Sequence, residues 1–167
     1  SSPPPRAALR ALVGLVRRRY ATCMQQDFVV RRATPTDLPR LGELAGELVR
    51  MHHRTDPRRF LLVDGVEQGY ERWFASELGR KEAVILVAER DGAILGYGCG
   101  TLEGRDWNAL LDEHGAIHDI LVDESARRSG AGRALVVALS EALEAMGAPR
   151  VGLSTMVQNS AAQALFA

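Results

Sequence analysis

The sequence predicts an alternating α/β domain over residues 27–167, and three observations predict it. β-prone runs alternate with stretches whose apolar residues recur at helical spacing, Asp91-Gly92 joins two of those runs, and a glycine-bearing loop separates a strand-like run from a helix. With 167 residues, 46% of them hydrophobic, the chain can bury one core but is too short for two full-sized domains. Its 21 basic and 21 acidic side chains balance, so no global field draws it to nucleic acid or to an anionic membrane. No apolar run reaches the ~20 residues that span a bilayer. Cys23 and Cys99 are too few for a disulfide framework and lack the spacing of a zinc site. No metal is expected, and a reducing, cytoplasmic setting fits best.

Residues 1–26 differ from the rest, with Arg6, Arg10, Arg17, Arg18 and Arg19 and no acid before Asp27. Leu9, Leu12, Val13, Val16 and Tyr20 would form the apolar face of a basic helix. That composition suits an organelle transit peptide, an extra helix, or sequence ahead of a start at Met24; the last two are favoured. Phe28 to Arg32 is a short strand. Thr34 to Asp37 carries helix-start chemistry, and Leu38, Leu41, Leu44, Ala45, Leu48 and Val49 give the helix one apolar face. Asp56-Pro57 and Asp64-Gly65 break the pattern, after which Val66, Tyr70, Trp73, Phe74 and Leu78 mark a second helix ended by Gly79. Val84 to Ala88 and Ala93 to Leu102 form a hairpin across Asp91-Gly92. A polar loop leads to the strand Ala116 to Val122, then a helix from Gly130 to Met146, a strand from Val151 to Thr155, and a last helix beginning at Asn159.

Arg127-Arg128-Ser129-Gly130-Ala131-Gly132 falls between the strand ending at Val122 and the helix that Gly130 opens. A helix start offers unpaired backbone N–H groups and the positive end of the macrodipole, and both favour a phosphate. Without a Cβ, Gly130 and Gly132 let backbone approach a pyrophosphate, to which Arg127, Arg128 or Arg133 adds charge. Ser129 could equally be a plain helix cap with glycines shaping a turn. A Rossmann loop would need a third glycine and an acid ~20 residues on, and a Walker loop would need a Gly-Lys pair, whereas the only lysine is the remote Lys81.

Arg127-x-x-Gly130-x-Gly132 after a strand resembles the signature of the Gcn5-related N-acetyltransferases (GNAT), Gln/Arg-x-x-Gly-x-Gly/Ala. The resemblance runs from about Phe28 to Ala167 and includes Asn159 and Ala162, which match an Asn-x-x-Ala helix. It implies a central, mostly antiparallel sheet flanked by helices, and acetyl-CoA as co-substrate. The pyrophosphate would lie on residues 127–133, with Ala131 in the first turn of the helix. Pantetheine would pair with the strand edge at Ile120, Leu121 and Val122 where that strand splays from Val151 to Thr155, and Asn159 would help hold it. One N–H near Leu121 or Val122 would face the thioester oxygen.

The implied acceptor is a primary amine of a small molecule, an antibiotic or a protein. It must be neutral to attack, although amines are mostly protonated near neutral pH. His118, at a position where relatives carry a Glu, is the first candidate base and Asp119 the second; strand alternation would turn only one of them toward the acetyl group. Where the family often has a Tyr that protonates the departing thiolate, this chain has Phe166, which leaves water or a hydroxyl such as Tyr97. A CoA-binding module with little transfer activity is the competing reading. Acceptor recognition would fall to residues 51–74 with help from 103–114, Trp107 being the favoured contact while Tyr70, Trp73 and Phe74 belong to the core. The family's last two strands have no counterpart, which would bare the edge of Val151 to Thr155. Either the sequence is incomplete, which is favoured, or the leader or a second copy in a homodimer covers that edge.

Overall fold

The computed structural model describes residues 28–155 together with Asn159 and Gln163. The leader, the boundary at residue 27, and the matches at Ala162 and Phe166 lie outside the described residues. In chain order the elements are β1 (Val29–Arg32), α1 (Leu38–Thr55), α2 (Val66–Glu77), β2 (Ala83–Arg90), β3 (Ala93–Glu103), β4 (His114–Val122), α3 (Ala131–Ala145) and β5 (Val151–Leu153).

Asp91 and Gly92 both take positive φ, 49° and 80°, so the β2–β3 hairpin turns on the two residues whose twist matches that of the strands. The start of α1 is a short 3₁₀ turn, Pro35–Asp37, that runs into the helix at Leu38. Asp37 accepts from the Thr34 N–H at 2.8 Å and from Arg31 at 2.7 and 3.0 Å. The Arg31 guanidinium, against the opposing effect of burial, holds the Asp37 carboxyl down at about 2. Pro39 falls in the first helical turn, where a missing N–H removes no intrahelical bond. α1 runs on to Thr55, past the last apolar position of the sequence pattern, because its final turn is charged and partly solvated.

The strands form one sheet in the order β1-β2-β3-β4-β5, antiparallel except for the parallel pair β4–β5. α1 and α2 cover one face, packing Leu41, Leu44, Leu48 and Phe74 on Ile85, Val87, Tyr97, Cys99 and Leu121. α3 covers the other, with Leu135, Leu139 and Leu143 on Val84, Leu86 and Ile117. On the α3 side the middle of β3 carries Gly98 and Gly100, where a Cβ would lie 2.7 Å from Leu139 Cδ1 and 3.1 Å from Leu143 Cδ1. The helix therefore sits close against bare strand, which fixes where its N-terminus meets the sheet.

β5 is shorter than the sequence pattern suggested. Its pairing with β4 ends at Ile117↔Leu153, while β4 continues to Val122. The two strands part there, and the backbone edge of β4 beyond Ile117 is left without a strand partner on that side among the described residues. No helix among the described residues is long and apolar enough to cross a membrane.

Candidate active site

Two clefts meet at the point where β4 parts from β5. The first, with a volume of about 300 Å³, runs between Leu48, Met51 and His52 of α1, residues 117–120 of β4, and Leu153 to Thr155, and it reaches Asn159. The second, about 690 Å³, lies under α2 against Tyr70, Trp73, Glu77, Thr101 and Glu103. His118 and Asp119 line both. The wall between the clefts is thus made of the two titratable residues singled out in the sequence.

Simple alternation would send those side chains to opposite faces, and the structure corrects this. Cys99 pairs with Asp119 and Gly100 with Ile117, so a β-bulge leaves His118 as the extra residue. Asp119 keeps the face it shares with Cys99, and His118 is turned to the same side, toward Trp73 and Glu77. Burial pushes the Asp119 carboxyl up, with His118 and His52 drawing it back. Burial lowers His52, with Asp119 opposing. His118 contacts Thr101 Oγ1 at 2.6 Å, and Glu103 Oε1 is 3.4 Å away.

At the other end of β4 the loop before α3 has the shape its sequence suggested. Arg128 takes φ 64° and Gly130 φ 91°, two left-handed residues flanking Ser129. A Cβ on Gly130 would meet nothing within 4 Å, so glycine stands there for its backbone freedom. Ser129 Oγ accepts from the Ala131 N–H at 3.3 Å, and the first intrahelical bond is Ala134 N–H to Gly130 O. The N–H groups of the opening turn point out of the helix end, and Arg127 and Arg128 are exposed beside them. A left-handed arginine is strained, a cost met where backbone is shaped for a ligand. This loop fits a pyrophosphate, the splayed edge at Ile120, Leu121 and Val122 fits an amide-bearing arm, and Asn159 lies half-buried in the first cleft.

Other expected residues fall elsewhere. Tyr97 lines neither cleft. It is fully buried, edge-on to Phe74 at 5.4 Å, its hydroxyl has no partner among the described residues, and burial pushes it well above the usual phenol range, so it cannot serve a leaving thiolate. Trp107 is exposed under the Arg105 guanidinium at 5.4 Å and lies outside both clefts. Trp73 and Tyr70, expected in the core, face the second cleft, and only Phe74 is fully buried. Helical spacing marks one stripe without saying that its rim borders a cavity. His52, Arg59 and Phe60, within the 51–74 stretch expected to meet the acceptor, line the first cleft and not the second.

The profile of the Acetyltransferase (GNAT) family matches residues 48–167. This chain belongs to that family, whose members use acyl-CoA. No curated protein matches the chain in sequence. Among solved structures, a point mutant of the BH1408 protein from Bacillus halodurans is similar at a TM-score of 0.71 and 19% identity, over 83% of this chain and 88% of that one. Glucosamine-6-phosphate N-acetyltransferase from Arabidopsis thaliana aligns at 0.60 and 23%, over 84% and 90%. The aminoglycoside N-acetyltransferase AAC(6')-Iy, in complex with CoA, aligns at 0.64 and 16%, over 83% of each chain. At these identities the likeness is one of fold.

Proposed function

We propose that this protein transfers the acetyl group of acetyl-CoA to a primary amine by direct attack of the amine on the thioester. The single observation that carries the reading is the wall shared by the clefts. A donor lying along the β4 edge from the loop at residues 127–133 would bring its thioester to His118 and Asp119 from one side, and an acceptor in the second cleft would reach them from the other. Holding the two reactants across one wall turns a bimolecular encounter into a local one.

His118 would take the proton that frees the amine's lone pair, the role an imidazole fills best near neutral pH. The amine then attacks the carbonyl carbon, the C–S bond breaks as the thiolate departs, and the nitrogen gives up its second proton to water to leave the amide. With Tyr97 buried, the proton reaches sulfur from water; a thiol with an ordinary pKa of about 8.5 is a tolerable leaving group without a dedicated acid. The second cleft carries Asp64, Glu77, Glu103 and Asp119 against Arg72 and Arg80, and Glu77 is already paired with Arg80 at 3.0 Å. That surplus of carboxylates favours an acceptor that arrives as an ammonium, from a small molecule or a protein.

The test is thiol release from acetyl-CoA across a panel of aminoglycosides, amino sugars, polyamines and lysine peptides. We expect release with at least one cationic amine, and a drop of about 10²-fold in kcat for His118→Ala with acetyl-CoA affinity kept. Binding of acetyl-CoA without release for any amine would favour a module that binds CoA and transfers nothing.

A further inference from the structure

The side chains around His118 determine which of its ring nitrogens carries hydrogen. Thr101 Oγ1 lies 2.5 Å from Glu103 Oε1 and 2.6 Å from His118 Nε2. A hydroxyl has one proton to donate, and an ionised carboxylate only accepts. The Thr101 O–H therefore points at Glu103, and its oxygen must accept from His118. Nε2 then bears the hydrogen, and in the neutral ring Nδ1 is left with its lone pair free.

We propose that Thr101 and Glu103 are positioning residues that hold His118 in the Nε2–H form, so that Nδ1 is the atom that takes the proton from the acceptor amine. The proposal rests on the reading of His118 as base. Local structure explains why these three meet. Thr101 and Glu103 are two apart on β3 and so share a face, and the bulge in β4 turns His118 toward that same face. In the proton transfer an N–H bond of the substrate ammonium breaks and one forms on Nδ1, which leaves the amine neutral with its electron pair available. The imidazolium keeps its Nε2–H on Thr101 and has the Glu103 carboxylate 3.4 Å from Nε2 to balance its charge. It later releases the proton to solvent. Neither Thr101 nor Glu103 exchanges a proton with substrate.

The experiment reads the ring directly. Nitrogen-15 NMR of the imidazoles, with His118 assigned among the 4 histidines by its loss in His118→Ala, reports the tautomer in the parent, Thr101→Val and Glu103→Gln. We expect Nε2–H in the parent. In Glu103→Gln the new amide can donate to Thr101 Oγ1, which turns the hydroxyl proton toward Nε2 and moves the ring to Nδ1–H. The same tautomer ratio in all three proteins would overturn the assignment. In kinetics, Thr101→Val should lower kcat about tenfold at unchanged KM for acetyl-CoA, a part of the 10²–10⁴-fold that a base contributes. Thr101→Ser, which keeps the hydroxyl, should recover most of it. A serine variant as slow as the valine one would mark the loss as packing and overturn the proposal. Parent-like turnover in His118→Ala would overturn the base reading and this proposal with it, whereas a slow His118→Ala beside a parent-like Thr101→Val would overturn this proposal alone.

Discussion

A carboxylate in the place of Asp119 is shielded from water and, among the described residues, forms no ion pair with a guanidinium or ammonium. His118 and His52 draw it down, but their pull does not offset burial, so the carboxyl holds its proton to higher pH than usual. A carboxyl whose folded pKa is raised contributes stability that is fully present below the unfolded value of about 3.9 and is lost as pH rises through the folded value. Above that value the charge on Asp119 therefore works against the fold. Asp119→Asn should raise the melting temperature at pH 7, and the gain should shrink to nothing as the pH is lowered through the ordinary carboxylate range, as scanning calorimetry across pH would show. A gain of equal size at acid pH would assign it to packing instead. Such a destabilising charge is typical of groups kept for chemistry rather than stability. The sequence singled out His118 and Asp119 as residue types, but their joint orientation was not legible. A bulge shifts the register by one residue and leaves no mark in the residue types of β4 itself.

The elements converge on the loop before α3 through one ion pair. Arg40 of α1 bonds Asp123 at 2.5 Å, and the other oxygen of Asp123 accepts from the Ser125 N–H at 2.9 Å and its Oγ at 2.6 Å. The Ser125 hydroxyl and N–H, with the Arg40 guanidinium, hold the Asp123 carboxyl below the usual range. The end of β4 is thereby tied to α1 just ahead of Arg127 and Gly130. Asp123 caps the short 3₁₀ turn Glu124–Ala126, and Asp123→Ala removes that cap, at a cost of about 1 kcal/mol of stability, and frees the loop to move. Its affinity for acetyl-CoA should fall severalfold in a calorimetric titration while turnover at saturation stays near that of the parent. Unchanged affinity would show that the loop is set by its own backbone. Here the sequence disclosed less than at the hairpin. Asp91-Gly92 and its two flanking strands are adjacent in the chain and legible from local residue types, whereas Arg40 and Asp123 are far apart and either reads alone as a solvated charge. The early end of β5 is likewise set by how far β4 and β5 stay parallel, a matter of sheet geometry and not of the β-prone run from Val151 to Thr155.

On the scale of the molecule, one strand links the two features of the proposed site: β4 passes His118 at its middle and ends just before the loop at residues 127–133. β4 starts against β5, opens at His118, and finishes near the loop at residues 127–133, so a ligand spanning loop and opening would contact the sheet edge along the way. The order of strands and helices and the glycine loop were legible because they follow from local pattern and helix-end physics. The second cleft was not, since it forms where the 61–66 segment, α2 and β3 come together over long sequence separations. If the long site binds as a unit, acetyl-CoA must stabilise the native state alone, by RT ln(1 + [L]/Kd). That amounts to about 2.7 kcal/mol at a hundredfold excess over Kd. For a domain of this size each kcal/mol moves the midpoint by about 2–4 °C, so saturating acetyl-CoA should raise the melting temperature by about 5–10 °C. Arg128→Glu, which reverses charge at the left-handed arginine, should abolish most of that shift, and Gly130→Val, which places a β-branched residue at φ 91°, should do the same through backbone strain. His118→Ala should leave it intact, because that residue acts at the acetyl end of the site. Absence of any shift in the parent at millimolar acetyl-CoA would remove the donor site from this face of the fold, whereas a shift that survives Arg128→Glu would place the pyrophosphate elsewhere.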